Sequence, residues 1–428
     1  MTRRSLRAIP ALALLPALAL ASTAAHATNG YLAHGYGTKS KGAAGVGAAL
    51  PQDALTIATN PAGLVAVGNR LDVGLEFFVP NRKAEIRGNM APTPPGDDSY
   101  YNGNETELFL IPEFAWSSAL SDNVAWGVAV FGNGGMNTDY DTNPYARFAM
   151  TPPGALQMNL EQLFIAPALA WQFSETHSLG LAVNLAYQRF EMSGLPDAFA
   201  GMSSDPANLT DNDIADSSGA GVRLGWIGKV SDNITLGASW QSKTYMSEFD
   251  DYAGLFADQG DFDIPENYTV GIAVKASDQT TIAIDWQEIL YSEVPAVGNS
   301  SASLFSGSLL GSDDGPGFGW KNVRVVKIGA VWEASENVTL RGGFSHASQP
   351  VRDSETFINI IAPGVVQDHL SLGATFDIGE TGELSVQYTH AFSQSVNGDG
   401  SIPMAFGGGE ANVRLTEDSL GVAWAMKY

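Results

Sequence analysis

From residue 70 to residue 428 the chain alternates apolar residues with polar or small ones, segment after segment. In the clearest stretch Leu163, Ile165, Pro167, Leu169, Trp171 and Phe173 share one face, and Gln162, Ala166, Ala168, Ala170 and Gln172 share the other. A period of two marks a strand whose two faces meet different surroundings. The same alternation runs through 179–188, 222–226 and 234–241, and similar segments begin near Ile264, Thr280, Lys321, Val338, Val366, Glu383 and Asn412. With earlier segments over 70–87 and 105–120, and one opening at Val124, the pattern predicts about fourteen strands. Six short polar turns, such as Ser121-Asp122-Asn123 and Ser231-Asp232-Asn233, alternate with seven longer connections, of which 88–104, 192–216 and 295–320 are among the longest. An even strand count, short turns on one side and long loops on the other describe an all-β transmembrane barrel of the bacterial outer membrane, crossing many times with both termini in the periplasm. A soluble sandwich or propeller also alternates. It would not put Leu, Val, Ile and Trp on the outward faces.

The stretch 28–69 behaves differently. Glycine, alanine and small polar residues dominate it, and its apolar positions keep neither period. It reads as a compact irregular plug inside the barrel formed by 70–428. Residues 1–27 read as a secretory signal: Arg3, Arg4 and Arg7 precede an apolar run, and Ala25-His26-Ala27 fits a small-residue cleavage site, which makes Thr28 the first mature residue. The run is too short for a spanning helix.

Charge and composition sharpen this picture. The signal takes away three of the 22 basic residues and none of the 46 acidic ones, so the remainder is strongly acidic and nucleic acid is excluded as a partner. There is no cysteine, hence no disulfide and no thiolate metal site. With 47 glycines, 10% aromatics and a mean hydropathy of −0.02, the chain suits strands with one apolar face better than membrane helices. The last strand places Leu420, Val422, Trp424, Met426 and Tyr428 on one face, and its terminal aromatic resembles the signal by which the barrel assembly machinery recognises such proteins.

Gly35-Tyr36-Gly37, then Gly42, Gly45 and Gly47 to Asp53, then Asn60-Pro61-Ala62-Gly63, resemble the opening of the FadL/TodX family of outer-membrane transporters of long-chain fatty acids and other hydrophobic compounds. The resemblance spans the mature chain. It implies a small-residue hatch with an Asn-Pro-Ala motif in a fourteen-stranded barrel, capture of substrate at outer loops, and lateral release through a kinked third strand. Phe131, Gly132, Asn133, Gly134 and Gly135 stand where that kink belongs, and successive glycines weaken strand pairing and tolerate bulges. We expect them to interrupt the third strand, and Asn60 and Pro61 to anchor the hatch against them.

Two outer loops carry short helical periods, Leu195, Phe199 and Met202 in one and Tyr252, Leu255 and Phe256 in the other. Exposed apolar stripes call for a ligand, and these are expected to form the outer hydrophobic groove; packed on each other they would form a lid instead. A hydrophobic molecule gains about 0.8 kcal/mol per buried CH₂ and finds nothing in a water-filled pore. Arg223, Lys243 and Arg341 lie opposite the apolar stripes of their strands and are the candidates for holding a fatty acid's carboxylate. Neutral aromatic hydrocarbons are the alternative substrate. Barrel and ligand together imply a monomer with lipid and a hydrophobic molecule as partners, and no cofactor or metal. Enzyme chemistry finds little support: His34, His177, His346, His369 and His390 include no pair at metal-ligand spacing, and there is no nucleophile elbow. A barrel hydrolase, the competing class, would need a Ser or Asp at the lumen mouth near His346 or His390.

Overall fold

The computed structural model describes residues 28–91, 99–151 and 153–428. The signal-peptide reading of 1–27 lies outside the described residues, as does part of the first long loop. Fourteen long strands make the wall: Arg70–Arg87 (β1), Phe109–Ser121 (β2), Val124–Tyr140 (β3), Leu156–Ser174 (β4), His177–Ser193 (β5), Ala215–Ser231 (β6), Ile234–Gln241 (β7), Asn267–Ser277 (β8), Thr280–Ile289 (β9), Val323–Ser335 (β10), Val338–Ala347 (β11), Asp368–Ile378 (β12), Gly382–Asn397 (β13) and Glu410–Lys427 (β14). Each pairs antiparallel with its neighbours, and β14 pairs with β1 from Glu410 opposite Arg87 to Lys427 opposite Arg70, which closes the barrel.

The alternation decides which way each side chain points. Leu169, Leu179, Leu224, Val270, Ile328 and Leu420 are exposed on the outside, where lipid chains would cover them. The inner face carries small and polar residues such as Ala166, Ala182, Gln188, Ser345 and Ser371, all buried. Burial there has a specific cause, because residues 28–69 fill the lumen. That segment folds as a hairpin of Thr28–Asn29 with Leu32–Ala33, a helical turn at Thr38–Lys41, two 3₁₀ turns at Ala54–Ala58 and Pro61–Gly63, and a last turn at Leu64–Val67. Its turns bond internally, as Gly42 N does to the Thr38 carbonyl at 3.1 Å and Asn60 N to the Thr56 carbonyl at 2.7 Å, and the wall supplies partners between them: the Asp285 carboxylate accepts from the Gly47 and Ala48 amides at 2.8 and 2.9 Å, and Asp72 accepts from Ala54 at 3.1 Å.

Two local expectations change. The second strand begins at Phe109, not at residue 105. The third does not stop at Phe131 but continues to Tyr140, with one extra residue, Asn133, between the pairs Gly132–Leu163 and Gly134–Gln162. The glycines accommodate a bulge rather than end the strand, because β4 still offers a partner for every backbone group beyond it.

A window in the wall and a filled lumen

The bulge has consequences on the opposite edge of β3. Its pairing with β2 ends at Glu113 opposite Phe131, and beyond that point Phe109–Pro112 pair only with β1. From Gly132 onward the long-strand partner of β3 is β4 alone, and among the described residues backbone bonding to the far side resumes where Asp139 bridges Asn104. Between Phe131 and Asp139 the wall therefore has a window on the order of 25 Å long, at about 3.3 Å per residue. The N-terminal hairpin docks on its inner edge. Leu32 pairs with Gly134, and the Gly135 amide donates to the Tyr31 carbonyl at 3.0 Å. A Cβ at Gly134 would lie 2.1 Å from that carbonyl oxygen, so the close approach requires glycine. The Tyr36 hydroxyl donates to Asn133 Oδ1 at 2.9 Å, and Asn133 donates on to Gln162 at 2.9 Å.

A chain of polar side chains spans the window. Arg82, buried on the inner face of β1, donates to Asn137 Oδ1 at 3.1 Å and to Asn104 Oδ1 at 3.2 Å, with its guanidinium also over the Phe109 ring. Asn137 donates to Asn159 at 3.0 Å, and Asn159 to Glu161 at 3.1 Å. On the lumen side lies a cavity of about 40 Å³ bordered by Phe78, Pro80, Arg82, Met136 and Leu415. On the other side lies one of about 260 Å³ bordered by Phe109, Asn159, Glu161, Arg189 and Ile214. Asn137 lines both.

Below the window the plug is held by charge and close packing. Lys39 pairs with Glu383 at 2.5 Å, Lys41 with Glu76, and Arg70 with both Asp72 and Glu383. Burial lowers the pKa of Lys39, and the Arg70 charge adds to that effect. Burial, then the Asp72 charge, pushes the Asp53 carboxyl up to about 6. Asn60 caps the turn of Pro61, Ala62 and Gly63 by accepting from the Ala62 amide, and its Nδ2 donates to the Ala48 carbonyl at 2.6 Å and to Trp226 at 3.0 Å. The motif does not anchor against the glycines of β3. It rests on Gly180 of β5 and Gly225 of β6, where a Cβ would sit 2.2 Å from the Ala62 nitrogen and 2.0 Å from Asn60 Oδ1 respectively. Those wall glycines, spaced by strand register and not by sequence, make the seat.

Above the window the outer loops close over the lumen. Leu195, Phe199, Tyr252, Leu255 and Phe256 are buried, and Met202 packs on the same core, so they form no exposed groove. Phe199 meets Tyr145 and Phe406, while Tyr252 and Phe256 meet Phe190. The reason is energetic: side chains of this size gain about 1.5–3 kcal/mol each on full burial, and the loops are long enough to turn them inward. Their helices are single turns, Asp197–Ala200 and Asp250–Tyr252, too short to project a stripe. No periodicity in the sequence marks Tyr145, Phe148, Phe357 and Phe406, which join from three different loops only in three dimensions.

The three candidate cations lie apart from both cavities at the window. Arg223 bonds to Gln241 and reaches the Thr59 carbonyl at 3.4 Å; Arg341 donates to Gln52 and Thr375, each at 2.7 Å. Lys243 falls just beyond β7, bonded to the Glu293 carbonyl at 2.9 Å and 3.7 Å from Asp263. The histidines of the hydrolase alternative, His346 and His390, each meet an aspartate on an outward face, Asp368 at 2.7 Å and Asp418 at 2.8 Å. Among the described residues no serine hydroxyl is hydrogen-bonded to either ring.

A closed fourteen-stranded barrel with an apolar outer belt, a packed lumen and a side window defines an outer-membrane protein that is not a simple water-filled pore. The sequence profile of the family described as "Outer membrane protein transport protein (OMPP1/FadL/TodX)" matches residues 18–428, and the chain belongs to that family. It is therefore an outer-membrane transport protein for hydrophobic compounds and not an enzyme. It is 22% identical to the long-chain fatty acid transport protein of Escherichia coli, over 96% of each chain. Among solved structures it resembles the Pseudomonas putida toluene transporter TodX (17% identity, 92% of this chain and 99% of that one, TM-score 0.69). It also resembles a Pseudomonas aeruginosa FadL homologue (16% identity, 93% and 99%, TM-score 0.69).

Proposed function

We propose that this protein moves hydrophobic molecules, long-chain fatty acids foremost, passively across the outer membrane and releases them sideways through the window between β2 and β3. Residues 28–69 act as a hatch that blocks straight passage to the periplasm, in a mature chain that begins after a signal peptide of residues 1–27. The observation that carries this reading is the unpaired stretch of wall beyond Glu113 and Phe131, bordered by a cavity on each side. A lipid-soluble molecule leaving there enters surroundings like itself, whereas the direct route is filled with buried ion pairs. In the closed loops, capture requires Leu195, Phe199, Met202, Tyr252, Leu255 and Phe256 to part, so the groove is the opened form of this packed layer. The chain works as a monomer, with membrane lipid and its ligand as partners, after insertion by the barrel assembly machinery.

The fatty-acid reading draws on the relative from Escherichia coli, which bears that name. Neutral aromatic hydrocarbons are the second reading, favoured by one observation: Arg223, Lys243 and Arg341 all spend their hydrogen bonds on protein groups. Deleting Asn133 removes the residue that puts β3 out of step and should let the strand pair onward with β2. Uptake of radiolabelled oleate and of toluene by cells lacking other routes is then expected to fall at least about tenfold, while the barrel still shifts on a gel when heated. Unchanged uptake by folded protein would refute lateral release. Toluene uptake by the wild type without oleate uptake would select the second reading.

A further inference from the structure

The lumen-side cavity contains a carboxylate that lacks a charged partner. Glu417 is 2% exposed on the inner face of β14, and among the described residues no lysine, arginine or histidine is ion-paired with it. Its two oxygens are taken by one residue: Oε2 accepts from the Thr28 backbone nitrogen at 3.0 Å and Oε1 from the Thr28 hydroxyl at 3.0 Å. The charged groups nearby do not replace a counter-ion. Arg82 is engaged by Asn104, Asn137 and the Thr106 carbonyl, and Glu76 carries the same sign and is held by Lys41. A buried carboxylate with only neutral donors is costly, and a cation in hydrogen-bond contact removes that cost.

We propose that Thr28 is the first residue of the mature protein and that its free α-ammonium is the counter-ion of Glu417, so that proteolytic maturation creates the charge that seats the N-terminal hairpin at the window. Water hydrolyses the Ala27–Thr28 peptide bond under an exported leader peptidase; the hydroxyl goes to the Ala27 carbonyl carbon, leaving a carboxylate, and the Thr28 nitrogen takes up protons to become an ammonium. An α-amino group is largely protonated at neutral pH. The position suits it: Thr28 is 4% exposed and Asn29 fully buried, and the hairpin that follows is clamped by Tyr291, whose hydroxyl donates to the Asn29 carbonyl and accepts from the Tyr31 and Leu32 amides. The Thr28 hydroxyl donates to Oε1 and leaves Oε2 to the α-nitrogen, so the two groups do not compete for the same oxygen. This inference rests on the signal-peptide reading proposed above, but neither the substrate nor the exit route enters it, so failure of the transport reading leaves it standing.

The test is N-terminal chemistry on exported protein purified in detergent. Intact mass should place the first residue at Thr28. A start at any other residue overturns the proposal. Limiting acetylation by an N-hydroxysuccinimide ester at pH 7 should then label the α-amine at least about tenfold more slowly in folded than in denatured wild type. Glu417→Gln keeps the shape and removes the charge, and should restore most of the labelling rate, whereas Glu417→Asp should stay protected. Equal rates in folded and denatured wild type overturn the proposal even if Glu417→Gln fails to fold. Equal protection in folded Glu417→Gln overturns the ion pair and leaves only burial.

Discussion

Gly180→Ala tests how the hatch is seated. The added Cβ would lie 2.2 Å from the Ala62 nitrogen, 2.3 Å from the Pro61 carbonyl carbon and 2.7 Å from its oxygen, all backbone atoms that cannot rotate away. To reach ordinary contact the turn at Pro61–Gly63 must retreat by about an ångström, an overpacking cost of roughly 1–3 kcal/mol. That retreat breaks the bond from Asn60 to the Trp226 carbonyl and the one from Ser178 Oγ to the Ala62 carbonyl, 3.0 and 3.1 Å long. At about 1 kcal/mol each, the total approaches 3–5 kcal/mol, a factor of roughly 10²–10⁴ in hatch seating. Barrel pairing is untouched, because Gly180 keeps its strand conformation with alanine. The control is Gly342→Ala on the outward face, where the nearest atom would be 3.5 Å away and alanine should be neutral or slightly stabilising. In planar bilayers Gly180→Ala is expected to show frequent large openings with wild-type heat-modifiability, and Gly342→Ala none. A Gly180→Ala barrel as silent as wild type would refute the claim that the Asn-Pro-Ala turn holds the plug.

Three further outcomes follow from the geometry. Asp53 carries a carboxyl raised from 3.8 to about 6, so its charge opposes folding; that cost is absent below about pH 4 and complete above about pH 6. At 1.36 kcal/mol per tenfold this is roughly 3 kcal/mol, so Asp53→Asn, which still caps the Leu55 amide, should be the more stable protein at pH 7.5 and lose its advantage by pH 4 in urea titrations; lower stability at pH 7.5 would contradict this. Asn137→Ala removes the bonds to Arg82 and Asn159 that cross the window and should speed uptake severalfold; slower uptake would mean that the polar chain does not limit exit. Phe406→Ala removes a ring that touches Phe148, Phe199, Phe305 and Phe357, a loss of about 3–5 kcal/mol confined to the outer layer. Hydrogen exchange in the loops 141–155, 194–214 and 398–409 should accelerate while the wall strands stay protected; uniform acceleration would show that the layer and barrel unfold together.

The strands were legible because a barrel in lipid imposes its period directly on the sequence. Leu179 and Gly180 differ in type since one faces hydrocarbon and the other faces the plug, and that contrast repeats along every strand. The plug was legible for the opposite reason, the lack of any period between residues 28 and 69. The site was less so. Asn133 and its glycines stood out, but whether they end β3 or bulge it depends on β4, which lies beyond any local reading. The apolar periods at Leu195–Met202 and Tyr252–Phe256 were visible as patterns, yet a pattern cannot say whether a loop turns its stripe to water or to the lumen.

By itself, then, the sequence determined the closed β architecture, the strand faces and the existence of a filled lumen, since these depend on period, turn chemistry and residue size within a few positions of one another. Only the tertiary structure decided what meets across the lumen: Asn60 on Gly180 and Gly225, Arg82 on Asn137, Glu417 on Thr28, and the rings of several loops on Phe406. Such contacts join residues tens to hundreds of positions apart, and their partners are chosen by barrel closure and strand register, which shift every inward side chain together.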